Sequence, residues 1–571
     1  MAAIAASMES ALKKINIVAI AALGVICAAE GLADGLARKD AALIQRRPQE
    51  ETIAATPLPY REEFVTLHAA GANGPGACAS LTSFQAPGLD MAITQAVTIA
   101  DGPVPATPFG PAFSGTLPAY CRVDGVIDER TGQDGKPYAI GFAVAMPENW
   151  NGRFLMQGGG GLNGNVALPI GSVAAGNVPA LARGFAVVTT DSGHKSSAVF
   201  DASFFADQEA TVNFLYQAVG KVAQVGKQIV TAYYGRAAAH SYFMGCSTGG
   251  REAMLMSQRY PRFFDGIVAG APAMRTSYSN LADKWVAVSL NQAAPKDEQG
   301  RPQTSRALSD SDRKLVIDSL LKACDANDGV ADGMVSDPKG CGFNPADLVC
   351  KGPKSTSCLT RNQVAALAKG FAGPKDSRGN PVYPGFWFDT GIADTQGIPG
   401  LLNPGPSPVG GPVVSTEMDV DQEARLAATA NAALGDTAGW THLNTFSGHG
   451  GKLIFFHGVS DPWFSAQETT RYYEQLAQAS GGLDAVSRWS RLFLVPGMGH
   501  CAGGSAALDH FDLIDPIVNW VEKGEAPKSV SATGKAFPKR SRPLCPYPQH
   551  AHYKGSGDSE DAENFECRPS Q

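Results

Sequence analysis

The stretch HSYFMGCSTGGREAMLMSQRY, residues 240–260, reads as strand, turn and helix. HSYFMG (240–245) is a short, mostly apolar run of strand length, and EAMLMSQRY (252–260) has helical composition. Between them, Gly245-Cys246-Ser247-Thr248-Gly249 fits G-x-S-x-G. A nucleophilic serine is best presented on a sharp strand-to-helix turn, and glycines on either side remove the Cβ clashes such a turn creates. The following helix N-terminus favours negative charge developing beside it.

The same rhythm continues outward. YAIGFAVAMP (138–147), RFLMQ (153–157), FAVVTTD (185–191) and FDGIVAG (264–270) read as buried strands, and residues 203–233 have helical spacing. Alternating strands and helices imply an α/β fold with a mostly parallel sheet. The pattern breaks after Pro272 and resumes at KLIFFHG (452–458) and RLFLVPG (491–497). This predicts one sheet domain interrupted by a large insertion, over about 275–445. The tail from Lys528, with Cys545 and Cys567, reads as a disulfide-pinned extension.

A serine nucleophile needs a base oriented by an acid, and with a G-x-S-x-G turn the chain order is Ser, Asp or Glu, then His. Asp461 follows the strand at 452–458 and His500 follows the next, so Ser247, Asp461 and His500 form the expected catalytic set. Asp191 precedes the serine and breaks the order. His449 sits in a glycine loop before a strand, and His510 on an expected helix beyond His500. His457, at a strand end, reads as a core or supporting group and is also carried as a substrate contact. Thr248 N–H and a donor from the Gly158–Gly161 run, placed at Gly160, are the expected oxyanion donors. Cys246 precedes the serine and Cys501 follows the histidine, so a disulfide between them would tether nucleophile to base.

Composition narrows the function. The 571 residues are 44% hydrophobic and 18% charged, with a net charge of −7. That rules out predominant disorder, and without a basic excess a nucleic-acid partner is not expected. The 64 glycines and 38 prolines lack a G-X-Y period and mark turns and loops. At the N-terminus, Lys13 and Lys14 precede the apolar run Ile15–Ala29, which reads as a signal peptide over residues 1–29; a retained anchor is the alternative. Removing it takes Cys27 with it and leaves ten of the 11 cysteines, an even number suited to an oxidising compartment. A secreted or periplasmic location without a stable membrane anchor follows. Oligomeric state is not legible.

A second cluster, Cys324 to Met334, holds Asp325, Asp328 and Asp332 within eight residues. Three carboxylates this close are either solvated or bound to a hard cation such as calcium, and the residue chemistry leaves both open. The spacing is not that of an EF-hand, since Ser336 stands where the closing Glu belongs.

Taken together, GCSTGGRE (245–252), HGVSDPWFSA (457–466), PGMGHC (496–501) and YKGSGD (553–558) resemble the tannase and feruloyl esterase family, which also contains a hydrolase of mono(2-hydroxyethyl) terephthalate. The resemblance runs from about Cys78 to Cys567. It implies an α/β-hydrolase core at 30–274 and 446–571, with a lid at 275–445 between nucleophile and acid. It implies calcium held in the lid by Asp325, Asp328 and Asp332 side chains and the Val330 and Met334 carbonyls, and no organic cofactor. It implies the bridges Cys246–Cys501, Cys78–Cys121, Cys324–Cys341, Cys350–Cys358 and Cys545–Cys567. The implied substrates are small esters of aromatic acids, with Phe464 packing on the ring. Terephthalate-type pockets of the family grip a free carboxylate with a lid arginine, and residues 379–424 contain no Lys or Arg. The expected substrate is therefore a neutral phenolic, cinnamic or gallic ester. A terephthalate monoester hydrolase, a peptidase or acyltransferase on the same residues, and a catalytically silent exported binding protein are the alternatives.

Overall fold

Along RFLMQ the side chains alternate between two apolar cores: Phe154 and Met156 enter one, Leu155 the other. The strand is thus covered on both faces, as a parallel α/β sheet requires. The computed structural model describes residues 75–106, 113, 115–405 and 411–570, all within one compact unit, Leu67–Gln571. The segment read as a signal peptide, 1–29, lies outside the described residues.

Nine strands form the main sheet: β1 (Met91–Ile99), β2 (Tyr120–Thr131), β3 (Pro137–Pro147), β4 (Arg153–Gln157), β5 (Ala186–Thr190), β6 (His240–Cys246), β7 (Gly266–Gly270), β8 (Lys452–Gly458) and β9 (Ser490–Val495). Their order is β1-β2-β3-β5-β4-β6-β7-β8-β9. The pairings β1–β2, β2–β3 and β3–β5 are antiparallel, and those from β5 to β9 are parallel. Helices α1 (Ala218–Tyr234), α2 (Thr248–Arg259) and α6 (Ala466–Ala479) cover one face. Helix α7 (Ile514–Lys523) covers the other.

Between β7 and β8 the chain leaves the sheet. Helices α3 (Thr276–Asn291), α4 (Asp310–Cys324) and α5 (Arg361–Phe371) enclose a separate core around Val286, Leu308, Val316, Leu367 and Tyr383. Among the described residues of this insertion there is no strand longer than an isolated bridge. Beyond α7, the strand Val530–Thr533 pairs with His510–Phe511 and Arg542–Leu544, and the hairpin Gln549–Tyr553/Phe565–Pro569 follows. Five disulfides join Cys78–Cys121, Cys246–Cys501, Cys324–Cys341, Cys350–Cys358 and Cys545–Cys567.

Two features differ from the sequence reading. Strands β1 and β2 precede the first strand expected from the pattern. β1 buries only Met91 and Ala96, with a bulge between Ile93 and Gln95, so its period-2 signal is broken. His510, expected on a helix, lies in a short strand, and α7 begins four residues later.

Helix α2 crosses β7 at backbone contact. A Cβ on Gly250 would stand 2.2 Å from Gly270 O and 2.9 Å from Pro272 Cα. Gly250→Ala should therefore destabilise the fold by about 1–3 kcal/mol, measured by thermal or urea unfolding. An unchanged midpoint would show that helix and strand can separate at no cost.

Candidate active site

The carboxyl ends of β6, β8 and β9 face the crevice where open α/β sheets place their ligands. Ser247 directly follows β6, with φ +65° and ψ −124°. This is a conformation L-residues rarely adopt, and it is held from outside. Ser247 N–H donates to Gly270 O at 3.0 Å, while its carbonyl accepts from Arg251 N at 3.0 Å and Ala273 N at 3.1 Å. The serine itself stays partly exposed.

Asp461 follows β8 and His500 follows β9. His500 Nδ1–H donates to Asp461 Oδ2 at 2.7 Å, and Asp461 is fully buried. Its other oxygen, Oδ1, accepts from Trp463 N at 2.9 Å and Phe464 N at 3.1 Å. Burial opposes ionisation of this carboxyl. The neighbouring His500 and His457 imidazoles outweigh that and hold it well below the usual carboxylate range. Asp461 is thus an anion arranged to steady positive charge on His500. The Cys246–Cys501 disulfide brings the neighbours of Ser247 and His500 to a Cα–Cα distance of 6.0 Å. His500 Nε2, the ring nitrogen not bonded to Asp461, lies 3.6 Å from Cys501 Sγ. In a chain-entropy account, closing a loop of 255 residues stabilises by roughly 5 kcal/mol.

The glycine run lies against the start of α2. Gly158 N–H donates to Met244 O, and Gly249 N–H to Gly159 O. Gly159 N–H donates to Glu252 Oε2 at 2.8 Å. The N–H groups of Gly160 and Thr248 have no hydrogen bond among the described residues, so both remain free as donors. Glu252 was not singled out from the sequence. It is fully buried on α2 and also accepts from Asn163 Nδ2 at 2.8 Å and Ser192 Oγ at 3.1 Å. One carboxylate therefore ties the glycine loop to the helix that carries the serine. An acidic residue five positions after Ser247 was the available signal, but sequence cannot show what it faces.

His457 requires a correction. It is not a substrate contact, because it is fully buried with both ring nitrogens engaged inside the protein. Nε2–H donates to Phe464 O at 3.0 Å and Nδ1 accepts from Thr469 Oγ1 at 2.8 Å. It supports the Asp461 loop from below. Phe464 is partly exposed, with its ring 5.3 Å from that of His500, and Trp463 stands beside it at 4.8 Å. Phe200 packs on Trp463 at 5.8 Å, so three aromatic rings gather beside the imidazole.

In the acidic loop of the insertion the three carboxylates are bonded to different partners within the protein. Asp325 Oδ1 accepts from Asp332 N at 2.9 Å and Gly333 N at 3.0 Å. Burial, and then Asp332 and Asp325, push the Asp328 carboxyl up to about 6, opposed by its hydrogen bonds from Ser336 and Val330. Asp332 already has a partner that sequence did not suggest: Arg542, from the C-terminal extension, binds Asp332 Oδ2. The oxygen donors suit a hard cation in type, yet among the described residues no group of three or more His, Cys, Asp or Glu side chains is arranged to hold a metal.

A mostly parallel sheet with a serine turn after one strand and a buried Asp–His pair after two later strands is the arrangement of α/β-hydrolases. The sequence model of the family "Tannase and feruloyl esterase" matches residues 121–404 and 415–568. The chain is 39% identical over 522 residues to mono(2-hydroxyethyl) terephthalate hydrolase of Piscinibacter sakaiensis, covering 80% of this chain and 86% of that one. It is 28% identical over 449 residues to feruloyl esterase B of Aspergillus niger, covering 74% and 82%. The crystal structure of feruloyl esterase B from Aspergillus oryzae superposes with a TM-score of 0.69 at 25% identity, over 86% of this chain and all of that one. The chain belongs to the tannase and feruloyl esterase family and is a carboxylic ester hydrolase.

Glu252→Gln turns an acceptor into a donor facing either Gly159 N–H or the Asn163–Ser192 pair. It should lower kcat by about 10- to 100-fold through a displaced glycine loop, with KM nearly unchanged, in steady-state hydrolysis of an aryl ester. Wild-type kcat would show that the loop keeps its place without the carboxylate.

Proposed function

We propose that this protein is an exported serine esterase that cleaves small esters of phenolic, hydroxycinnamic or gallic acids through an acyl-enzyme. The carrying observation is the buried Asp461–His500 pair, tethered through Cys246–Cys501 to the turn that presents Ser247. His500 Nε2 takes the Ser247 hydroxyl proton as Oγ attacks the ester carbonyl carbon. Asp461 stabilises the imidazolium so formed. Thr248 N–H and Gly160 N–H receive the oxyanion. Collapse of the tetrahedral intermediate expels the alcohol, which takes the proton from His500. Water, deprotonated by the same imidazole, then releases the acid and frees Ser247.

Trp463, Phe464 and Phe200 support an aromatic acyl group, because flat rings bury apolar area against a flat substrate. A neutral acid side is supported by the absence of Lys and Arg from 379–424. Two arginines of the insertion outside that stretch are engaged, Arg275 with Glu468 and Arg378 with Asp376. The second reading, a terephthalate monoester hydrolase, is favoured by the 39% identity to such an enzyme. Export is supported by the five disulfides. Among the described residues no helix is long and apolar enough to cross a membrane.

Calcium belongs to the same proposal as a structural ion. Asp325, Asp328 and Asp332, with the Val330 and Met334 carbonyls, would hold it and so brace the loop; it takes no part in the chemistry.

Ser247→Ala should lower turnover by about 10⁴-fold or more while leaving the melting temperature in place. Near-wild-type hydrolysis would end the assignment. On a panel of methyl ferulate, methyl gallate and mono(2-hydroxyethyl) terephthalate, kcat/KM should be highest for a phenolic ester. A clear preference for the terephthalate would select the second reading. Chelation with EDTA should lower the melting temperature by about 5 °C, restored by calcium, and an unmoved transition would remove calcium from the account.

A further inference from the structure

The insertion reaches the catalytic loops through one buried carboxylate. Asp389, from the segment after Tyr383, is fully buried. Its Oδ2 accepts from Ser460 Oγ at 2.7 Å and from Gly497 N–H at 2.7 Å. Ser460 precedes Asp461, and Gly497 lies three residues before His500. Gly391 N–H returns to Ser460 Oγ at 3.0 Å. The approach is at backbone distance: a Cβ on Gly391 would stand 2.4 Å from Gly497 O and 2.8 Å from Ser460 Cβ. A closed circuit results, from Asp389 to Ser460, Asp461, His500, Gly497 and back to Asp389. Within it, the 2.7 Å Asp461–His500 bond joins the two core loops side chain to side chain.

We infer that Asp389 is a positioning residue for the hydrolytic reaction: by bonding both loops at once it fixes the separation of Asp461 and His500, so the insertion is a working part of the catalytic centre as well as its cover. The inference rests on the proposed roles of Ser247, Asp461 and His500. The Asp461 loop holds to the His500 loop through Ser460 N–H on Met498 O at 3.0 Å and Val459 N–H on Val495 O at 3.0 Å. Asp389 adds to these direct backbone bonds a side-chain acceptor shared by the Ser460 hydroxyl and the Gly497 N–H. Burial raises the Asp389 carboxyl above the usual range, while hydrogen bonds from Ser460, Thr390 and Gly497 oppose the rise. What the site needs from this residue is an oxygen that accepts twice, and an amide oxygen can do that.

The test compares Asp389→Ala, Asp389→Asn and Ser460→Ala in the full chain on one aryl ester, with melting temperatures recorded alongside. Asp389→Ala should lose about 30-fold or more in kcat with KM within about threefold. Asp389→Asn should keep kcat within about fivefold of wild type, because the double acceptor remains. Ser460→Ala, a smaller truncation that carries the test if Asp389→Ala does not fold, should lose about 5- to 10-fold in kcat. Wild-type kcat in the alanine variants would overturn the inference, as would equal losses in Asp389→Ala and Asp389→Asn. A Ser247→Ala variant run beside them separates the two levels: if it stays active the catalytic reading fails, and if it is inactive while the Asp389 variants are normal only the positioning role fails.

Discussion

The buried hydrogen bond between His500 and Asp461 governs what the surrounding chain must be. A carboxylate taken fully out of water is costly unless its oxygens are met by donors or positive charge. Trp463 N–H, Phe464 N–H and the two imidazoles meet them. That demand explains the tight turn after β8, the burial of His457 beneath it, and the Thr469 hydroxyl on His457's far side. The aromatic pair Trp463–Phe464 is displayed beside His500 because its backbone is committed to the same carboxylate. The buried carboxylate and the two aromatic rings beside His500 thus come from one short turn.

The serine side is arranged on a similar plan. Its strained backbone is held by bonds from Gly270, Arg251 and Ala273, and the glycine loop above it is tied down by Glu252. The disulfide then joins the two halves across 255 residues of chain. The insertion between them is anchored to the segments around Asp461 and His500. Tyr383 and Gly385 hold Ser465, and Asp389 holds Ser460 and Gly497. The C-terminal extension reaches the insertion in turn through Arg540 and Arg542 at Asp332. Chain segments far apart in sequence are therefore coupled through buried polar contacts, each of which would cost free energy if left unpaired.

Much of this was legible in one dimension because the signals are local. A strand buried on both faces is a short apolar run, so β3 to β9 could be read directly. The serine turn needs glycines at fixed offsets, and each expected partner follows a strand, so Ser247 and the Asp461–His500 pair could be named. β1 escaped because a partly exposed edge strand carries mixed residues and a bulge breaks its period, and β2 because it alternates buried with partly exposed residues instead of forming a continuous apolar run. Glu252 and Asp389 escaped because an acidic residue on a helix or loop looks the same whether it faces water or a backbone N–H. His457, read both as a core or supporting group and as a substrate contact, is a buried supporting group, and a strand-end position alone does not say which way a ring points.

By itself, then, the sequence determined the α/β pattern, the interrupted sheet, the serine–aspartate–histidine order and the paired cysteines beside serine and histidine, since periodicity and turn chemistry act over a few residues. Only the tertiary structure decided which buried polar groups meet. It assigned Glu252 to the glycine loop, His457 to the floor under Asp461, Arg542 to the acidic loop and Asp389 to Ser460 and Gly497 on the Asp461 and His500 loops. Those pairings arise when distant segments close on one another and buried donors and acceptors are costly to leave unpaired.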